Sequence, residues 1–295
     1  MNLKKFYSRL SAKQAAFIAV FFWASAFVFT KYVLKYIDVK SLAVIRYFFA
    51  ALILLIIAIV KKIKFPAFKD LAALFMAAFF GYSGYFIVFN IAMQKISPST
   101  ASVINALSPA ITGIIAYFLF KEKINLFGWF SLLISFIGIV ILTMWDGVFS
   151  INIGIIYMLI ACIFISLSNI FQRGLAGKKY TSLELIIYSM IIGALQLLAY
   201  SPSSLLNIYK IKIHILFLII YMAIFPSIVA YLFWVRAFEI SKSTTEVTSF
   251  MFVTPVIATL MGIIILGDIP KFSTFLGGSI IILGMISFNK TKDKS

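Results

Sequence analysis

Between Gln14 and Phe288 the chain is a succession of apolar runs, each near the length of a membrane span and each separated from the next by a few residues. A hydrocarbon core of about 30 Å needs roughly 20 apolar residues per helix. Runs of that size occupy residues 14–35, 41–60, 69–93, 99–120, 125–145, 152–173, 183–201, 213–237, 244–266 and 271–288. Lipid offers no partner to a backbone amide, so runs of this kind cross as helices. The expected fold is an all-α polytopic membrane protein with ten transmembrane helices. Composition agrees: 63% of the 295 residues are hydrophobic and 12% are charged, against roughly 45–50% and 25% in soluble chains.

The first run follows Lys4, Lys5, Arg9 and Lys13, as a signal peptide would. It is too long for a signal core and has no small-residue cleavage site after it, so it reads as a retained span. A net charge of +17 would point to nucleic acid in a soluble protein. Here the basic residues fall mainly between the runs, which argues against nucleic acid and suits loops set against a bilayer with anionic lipids. With the N-terminus inside, eighteen of the 26 Lys and Arg lie on the inner side and eight on the outer. That asymmetry places both termini in the cytoplasm of a multi-pass protein of the plasma or inner membrane. The single cysteine, Cys162, excludes an internal disulfide and reads as a small packed residue.

A proline inside a helix removes a donor and clashes with the preceding turn, at about 3 kcal/mol. Pro109 and Pro255 both sit inside apolar runs, 146 residues apart. The same shift pairs Ser108 with Thr254, Glu122 with Asp268 and Gly138 with Gly284. Nearby shifts pair Lys31 with Arg173 and Gly81, in 81-GYSG-84, with Pro226. The pattern reads as a duplication. It divides the chain into a basic N-terminus (1–13), a first repeat (14–145), a second repeat (146–288) and a cytoplasmic tail (289–295), expected to fray. Five helices per repeat is odd, so the second half enters the membrane inverted. Interrupted helices in a 5+5 inverted repeat are a transporter arrangement, with the site near the midplane between halves.

Four stretches carry a family resemblance: 22-FWASAFVFTKYVL-34, 45-IRYFFAALILL-55, 108-SPAITGIIAYFLFKEKI-124 and 254-TPVIATLMGIIILGDIP-270. The chain resembles the EamA-type members of the drug/metabolite transporter superfamily over residues 14–288. The resemblance implies the 5+5 inverted repeat. It also implies a central cavity lined mainly by helices 1, 3, 4, 6, 8 and 9, which moves small metabolites by alternating access. Two departures matter. Many relatives carry glutamate where this chain has Ser108 and Thr254, so a coupling role for that acid does not carry over. The first helix also lacks the embedded acid of the small multidrug-resistance branch, which disfavours cation/proton antiport.

Charge within a bilayer is a functional candidate by default. Lys31, Arg46 and Arg236 lie nearest to helix interiors; the alternative for each is a stem that snorkels to the interface. Glu246 could carry a proton, but 243-STTE-246 has the spacing of a capping box at the start of helix 9. Pro98, in 97-SPST-100, suits the first position of helix 4. Uncharged polar and aromatic groups supply the remaining cavity candidates. They are Trp23, Ser25 and Thr30 on helix 1, Tyr82, Tyr85 and Asn90 on helix 3, and Ser102, Asn105 and Ser108 on helix 4. The second half adds Ser166, Asn169 and Gln172 on helix 6, Tyr231 and Trp234 on helix 8, and Thr248 and Ser249 on helix 9. Their alternative is ordinary interhelical hydrogen bonding. Pro109, Pro226 and Pro255 are the expected bends, Pro109 freeing the carbonyl of Asn105.

These features favour a secondary transporter without cofactor or metal, exporting amino acids or related carboxylate-bearing or zwitterionic compounds, with protons as a candidate coupling ion. A monomer and a homodimer are equally compatible. Uptake or exchange of a metabolite, such as a nucleotide-derived one, is the alternative within the same fold. A membrane enzyme is disfavoured by a single histidine, His214, and by scattered acids. The absence of a Walker-type loop argues against ATP-driven transport by this chain.

Overall fold

A computed structural model describes residues 10–121, 124–144, 152–175, 179–241, 247 and 249–292. Helices follow one another along the chain, and the described residues contain no strand. We number them α1 (Ala12–Val33), α2 (Val39–Val60), α3 (Phe68–Lys95), α4 (Pro98–Phe120), α5 (Leu126–Met144), α6 (Ile153–Leu175), α7 (Ser182–Tyr200), α8 (Ile213–Ile240), α9 (residues 249–266) and α10 (Phe272–Lys292). Seven are long and apolar enough to cross a membrane, and Leu126–Leu142, Phe250–Leu266 and Phe272–Phe288 are shorter apolar helices. α10 continues to Lys292, four residues past the apolar run that ends at 288. Capping and sequence agree at several starts. Ser11 and Gln14 form a capping box on α1, as do Thr181 and Glu184 on α7. Pro98 takes the first position of α4 behind the Ser97 cap.

Asp38 caps α2, its Oδ1 accepting from the amides of Lys40 (2.9 Å) and Ser41 (3.0 Å). Partial burial works to raise the Asp38 pKa, but hydrogen bonds from the Ser41 hydroxyl and the local amides outweigh it and hold the carboxyl below its ordinary value. A depressed carboxylate contributes stability above its unfolded pKa and loses it as pH falls through the folded one. Asp38→Ala is expected to cost about 1 kcal/mol, read as a lower melting temperature in detergent at neutral pH. The gap should close in acid, where the native cap is itself protonated.

The helices pack in pairs: α1 with α8, α2 with α7, α3 with α6, α4 with α9 and α5 with α10. Exchanging the first five helices for the last five leaves this set of pairs unchanged, as a two-fold axis requires. The α5–α10 seam gives the direction of the axis. A Cβ on Gly138 would meet the Gly277 carbonyl and Ile281, whereas one on Gly284 would meet Ser131 and Ser135. One number rises as the other falls, so the helices are antiparallel. Ser135 Oγ donates to the Ile281 carbonyl at 3.4 Å, joining positions 146 residues apart. Each contact therefore has its mate in the other half, the signature of an isologous two-fold. Antiparallel helices related by that axis mean inverted halves.

Two irregularities recur at the same shift. α3 contains a π-helical turn at Phe79–Ser83, and α8 contains one at Phe225–Val229. α4 breaks at Ala106 and Leu107 and resumes as Ser108–Phe120, while α9 resumes as Thr254–Leu266. Lipid supplies no hydrophobic drive between helices, so close approach relies on small residues. Ala15 and Ala16 of α1 against Ala237 of α8 illustrate this. Outward-facing Phe118, Leu119, Phe127 and Phe130 leave an apolar exterior.

Candidate functional site

Arg46 is the most unusual side chain in the bundle. It lies two turns into α2 and is 3% exposed, so the expected snorkelling does not occur. Its stem is closed in by α3 and α8. The guanidinium carbon sits 4.7 Å from the Phe86 ring centre and 5.6 Å from that of Tyr47. Tyr85 and Tyr231 lie within its electrostatic reach. Such faces stabilise a desolvated cation by about 2 kcal/mol or more, less than the cost of burying it. Among the described residues no carboxylate lies within ion-pair distance of Arg46.

Pro226 explains the one hydrogen bond that Arg46 does make. Lacking an amide proton, Pro226 leaves the carbonyl of Met222, four residues earlier, without its helical donor. The hydroxyl of Ser227 donates to that carbonyl at 2.9 Å and accepts from Arg46 Nε at 3.0 Å. The π-turn places this hydroxyl on the α2 side of α8. The freed carbonyl of Pro226 itself accepts from Trp23 Nε1 at 3.2 Å. Trp23 also packs edge-on against Tyr231 (5.3 Å between ring centres) and against Trp234 (5.0 Å). α1, α2, α3 and α8 thus converge on one cluster built around Arg46, Ser227 and these aromatic rings.

Other sequence candidates divide between this cluster and structural duties. Tyr82 joins the cluster by packing on Tyr47 at 5.8 Å, and Tyr85 packs against Phe86 and Phe89. Ser25 lies 3.0 Å from the Tyr221 hydroxyl and 2.7 Å from the Phe22 carbonyl, and Thr30 donates to Met222 Sδ at 3.7 Å. Both tie α1 to α8. Ser102 donates to Ser99 O on its own helix. Gln172 donates to Ser168, which in turn donates to the Ala77 carbonyl just before the α3 π-turn. Asn169 is exposed. Asn90 and Asn105 each bury a side-chain oxygen that has no partner. Thr248 and Glu246 lie outside the described residues, as does the side chain of Ser249.

Two charged candidates make polar contacts within the protein. Lys31 Nζ donates to the carbonyls of Gln94 (3.1 Å) and Ile96 (2.9 Å), capping the C-terminal end of α3 where a cation is favoured. Arg236 pairs with Glu239 one turn away at 3.5 Å. The break before Pro109 is also answered by protein. Ser108 Oγ donates to the freed Asn105 carbonyl at 2.8 Å, Ser166 Oγ lies 3.0 Å from the Ser108 carbonyl, and Cys162 Sγ donates to the Ile104 carbonyl at 3.5 Å. Pro255 is buried at the first turn of the resumed α9.

Sequence reasoning missed Ser227, Tyr47 and Phe86. A signal for Ser227 was present: a hydroxyl residue beside a mid-helix proline, repeated as Ser108 beside Pro109.

The profile of the EamA-like transporter family matches this chain twice, over residues 11–144 and 152–289. The chain belongs to the EamA-like transporter family. An uncharacterized transporter of Bacillus subtilis, YdfC, is 26% identical over 92% of this EamA-family chain and 88% of its own length. A probable terminal-alkyne amino-acid exporter of Streptantibioticus cattleyicolor is 22% identical, covering 94% of this chain and 92% of itself. An S-adenosylmethionine uptake transporter of Rickettsia prowazekii is 24% identical, over 91% and 88%. A crystal structure with a TM-score of 0.62 covers 94% of this chain and 95% of its own at 13% identity, a likeness of fold alone. The family is one of membrane transporters acting on small molecules, and this chain is a multi-pass membrane protein.

Proposed function

We propose that this chain is a secondary transporter that exports amino acids or related carboxylate-bearing, zwitterionic compounds. It works by alternating access across ten spans in two inverted halves. The observation that carries this reading is Arg46, a buried cation without a carboxylate among the described residues. A buried charge without a partner costs several kcal/mol, and charge inside a membrane marks function by default. A carboxylate arriving with the substrate removes that cost only while it is bound. Arginine suits the task because its fork can donate to both carboxylate oxygens, and its Nε already donates to Ser227 Oγ.

Export is supported by the relative named as an amino-acid exporter. Uptake is the second reading, favoured by the relative named for S-adenosylmethionine uptake. The Lys and Arg asymmetry supports both termini facing the cytoplasm. The test is flux of a panel of labelled amino acids in proteoliposomes, with and without a pH gradient. Saturable flux of at least one of them, faster when unlabelled substrate is present on the far side, is expected. A dependence on the pH gradient assigns proton coupling, and independence assigns facilitated diffusion. No flux for any member contradicts the reading.

A further inference from the structure

Asn90 is 1% exposed and has a direction built into it. Its Nδ2 donates to the Val39 carbonyl at 3.3 Å, in the first turn of α2. Turning the amide over would set two oxygens against each other, so the donor end is committed to α2. Its Oδ1 is buried and has no hydrogen-bond partner among the described residues. An amide oxygen desolvated in this way costs about 1–3 kcal/mol and calls for a donor.

The register of α2 and α3 sets Asn90 beside Arg46. Val39 and Arg46 are seven residues apart and so share a face of α2. Phe86 and Asn90 are four apart, on one face of α3 and about 6 Å apart along its axis. Phe86 carries the Arg46 guanidinium above its ring and Asn90 reaches Val39, so both pairs lie on the same α2–α3 seam. The buried cation and the buried acceptor therefore lie on one seam, their positions one turn (about 6 Å) apart along α3 and two turns (about 10 Å) apart along α2. A hydrogen bond of about 3 Å at each end, with about 3 Å between the carboxylate and ammonium of an α-amino acid, spans about 9 Å, within the range set by the two helices.

We propose that Asn90 recognises the ammonium group of the substrate, so that Arg46 and Asn90 together select α-amino acids over carboxylates lacking the amine. This rests on the assignment of Arg46 as the carboxylate anchor. A neutral amide suits the position. A carboxylate there would pair with Arg46 itself and close the site, whereas the amide accepts from an ammonium without competing for the guanidinium. Phe86 and Phe89, which precede Asn90 on α3 and pack against each other at 5.7 Å, offer ring faces that attract a desolvated cation.

The test uses purified protein in detergent, with ligand-dependent thermal stabilisation titrated to its half-maximal concentration. The probes are L-phenylalanine with 3-phenylpropanoate, and L-leucine with 4-methylpentanoate. The wild type should prefer each amino acid over its des-amino partner by about tenfold or more, as a hydrogen bond to a charged group provides. Asn90→Leu keeps the volume and removes the acceptor. It should weaken the amino acids about tenfold and leave the des-amino acids unchanged. Equal weakening of both classes, or an intact preference in Asn90→Leu, overturns the proposal. The parent assignment fails separately if Arg46→Met binds both classes as the wild type does. If the wild type responds to none of the four probes, both assignments are contradicted.

Discussion

Replacing Arg46 by methionine should abolish transport and leave the protein at least as stable as before. The two effects have one cause. In the empty protein Arg46 is a desolvated cation held by a single serine hydroxyl and aromatic faces. Substituting an apolar side chain of similar length for a buried charge is often neutral or stabilising by about 1–4 kcal/mol. On the proposed reading, the same guanidinium pairs with the carboxylate when substrate is bound. Losing one partner of such a pair costs about 2–5 kcal/mol, enough to reduce flux about a hundredfold or more. Arg46→Lys keeps the charge but loses the fork and the Nε bond to Ser227, so it should not restore flux. The measurements are proteoliposome flux and the melting temperature of the same preparations. A melting temperature that falls together with flux would make Arg46 a structural residue and remove the argument for an anion site.

The second large effect falls on the seam that relates the two halves. A Cβ on Gly138 would stand 2.7 Å from the Gly277 carbonyl oxygen and 2.9 Å from the Ile281 nitrogen. One on Gly284 would stand 2.8 Å from the Ser131 carbonyl oxygen and 2.9 Å from the Ser135 nitrogen. Backbone cannot rotate away as a side chain can, so α5 and α10 must separate. Overpacking costs typically 1–3 kcal/mol and occasionally more. With rigid partners, Gly138→Val and Gly284→Val should each cost about 3 kcal/mol, and the symmetry predicts losses of similar size. Gly174, whose Cβ would meet nothing within 4 Å, supplies the control: Gly174→Ala should melt as the wild type does. Thermal unfolding in detergent decides the matter. Wild-type melting in either valine variant would mean that the seam is looser than this packing allows.

Much of the architecture is legible in the order of residues, because span length and proline spacing have physical causes that act locally. The apolar runs mark the helices, and the 146-residue shift of Pro109 onto Pro255 marks the repeat. That shift also relates the π-turns at Phe79–Ser83 and Phe225–Val229, although neither is visible as a turn in the sequence. A π-turn needs one extra residue in the ladder and no special composition. Pro226 marks it in α8, while in α3 only Gly81 and Gly84 hint at it. For Arg46 the sequence marks the residue as a candidate but not which way its side chain turns. A long basic stem two turns into a span can reach the interface or turn inward, and the choice belongs to α3 and α8, which are remote in sequence. Lys31 makes the converse case. It has the same charge but sits in the last turn of α1, where its ammonium ends on the free carbonyls of α3. α4 is interrupted just before Pro109, and the hydroxyl of Ser108 that donates to the freed Asn105 carbonyl is adjacent in sequence.

The most direct test of carboxylate recognition is competition by a substrate stripped of that group. Counterflow of labelled L-phenylalanine, or of whichever amino acid the flux panel identifies, is measured against the unlabelled acid and against its carboxamide. With Arg46 as the anchor, the acid should compete and the carboxamide should be weaker by about a hundredfold, a difference that Arg46→Met should erase. Equal competition by acid and carboxamide in the wild type would contradict the account.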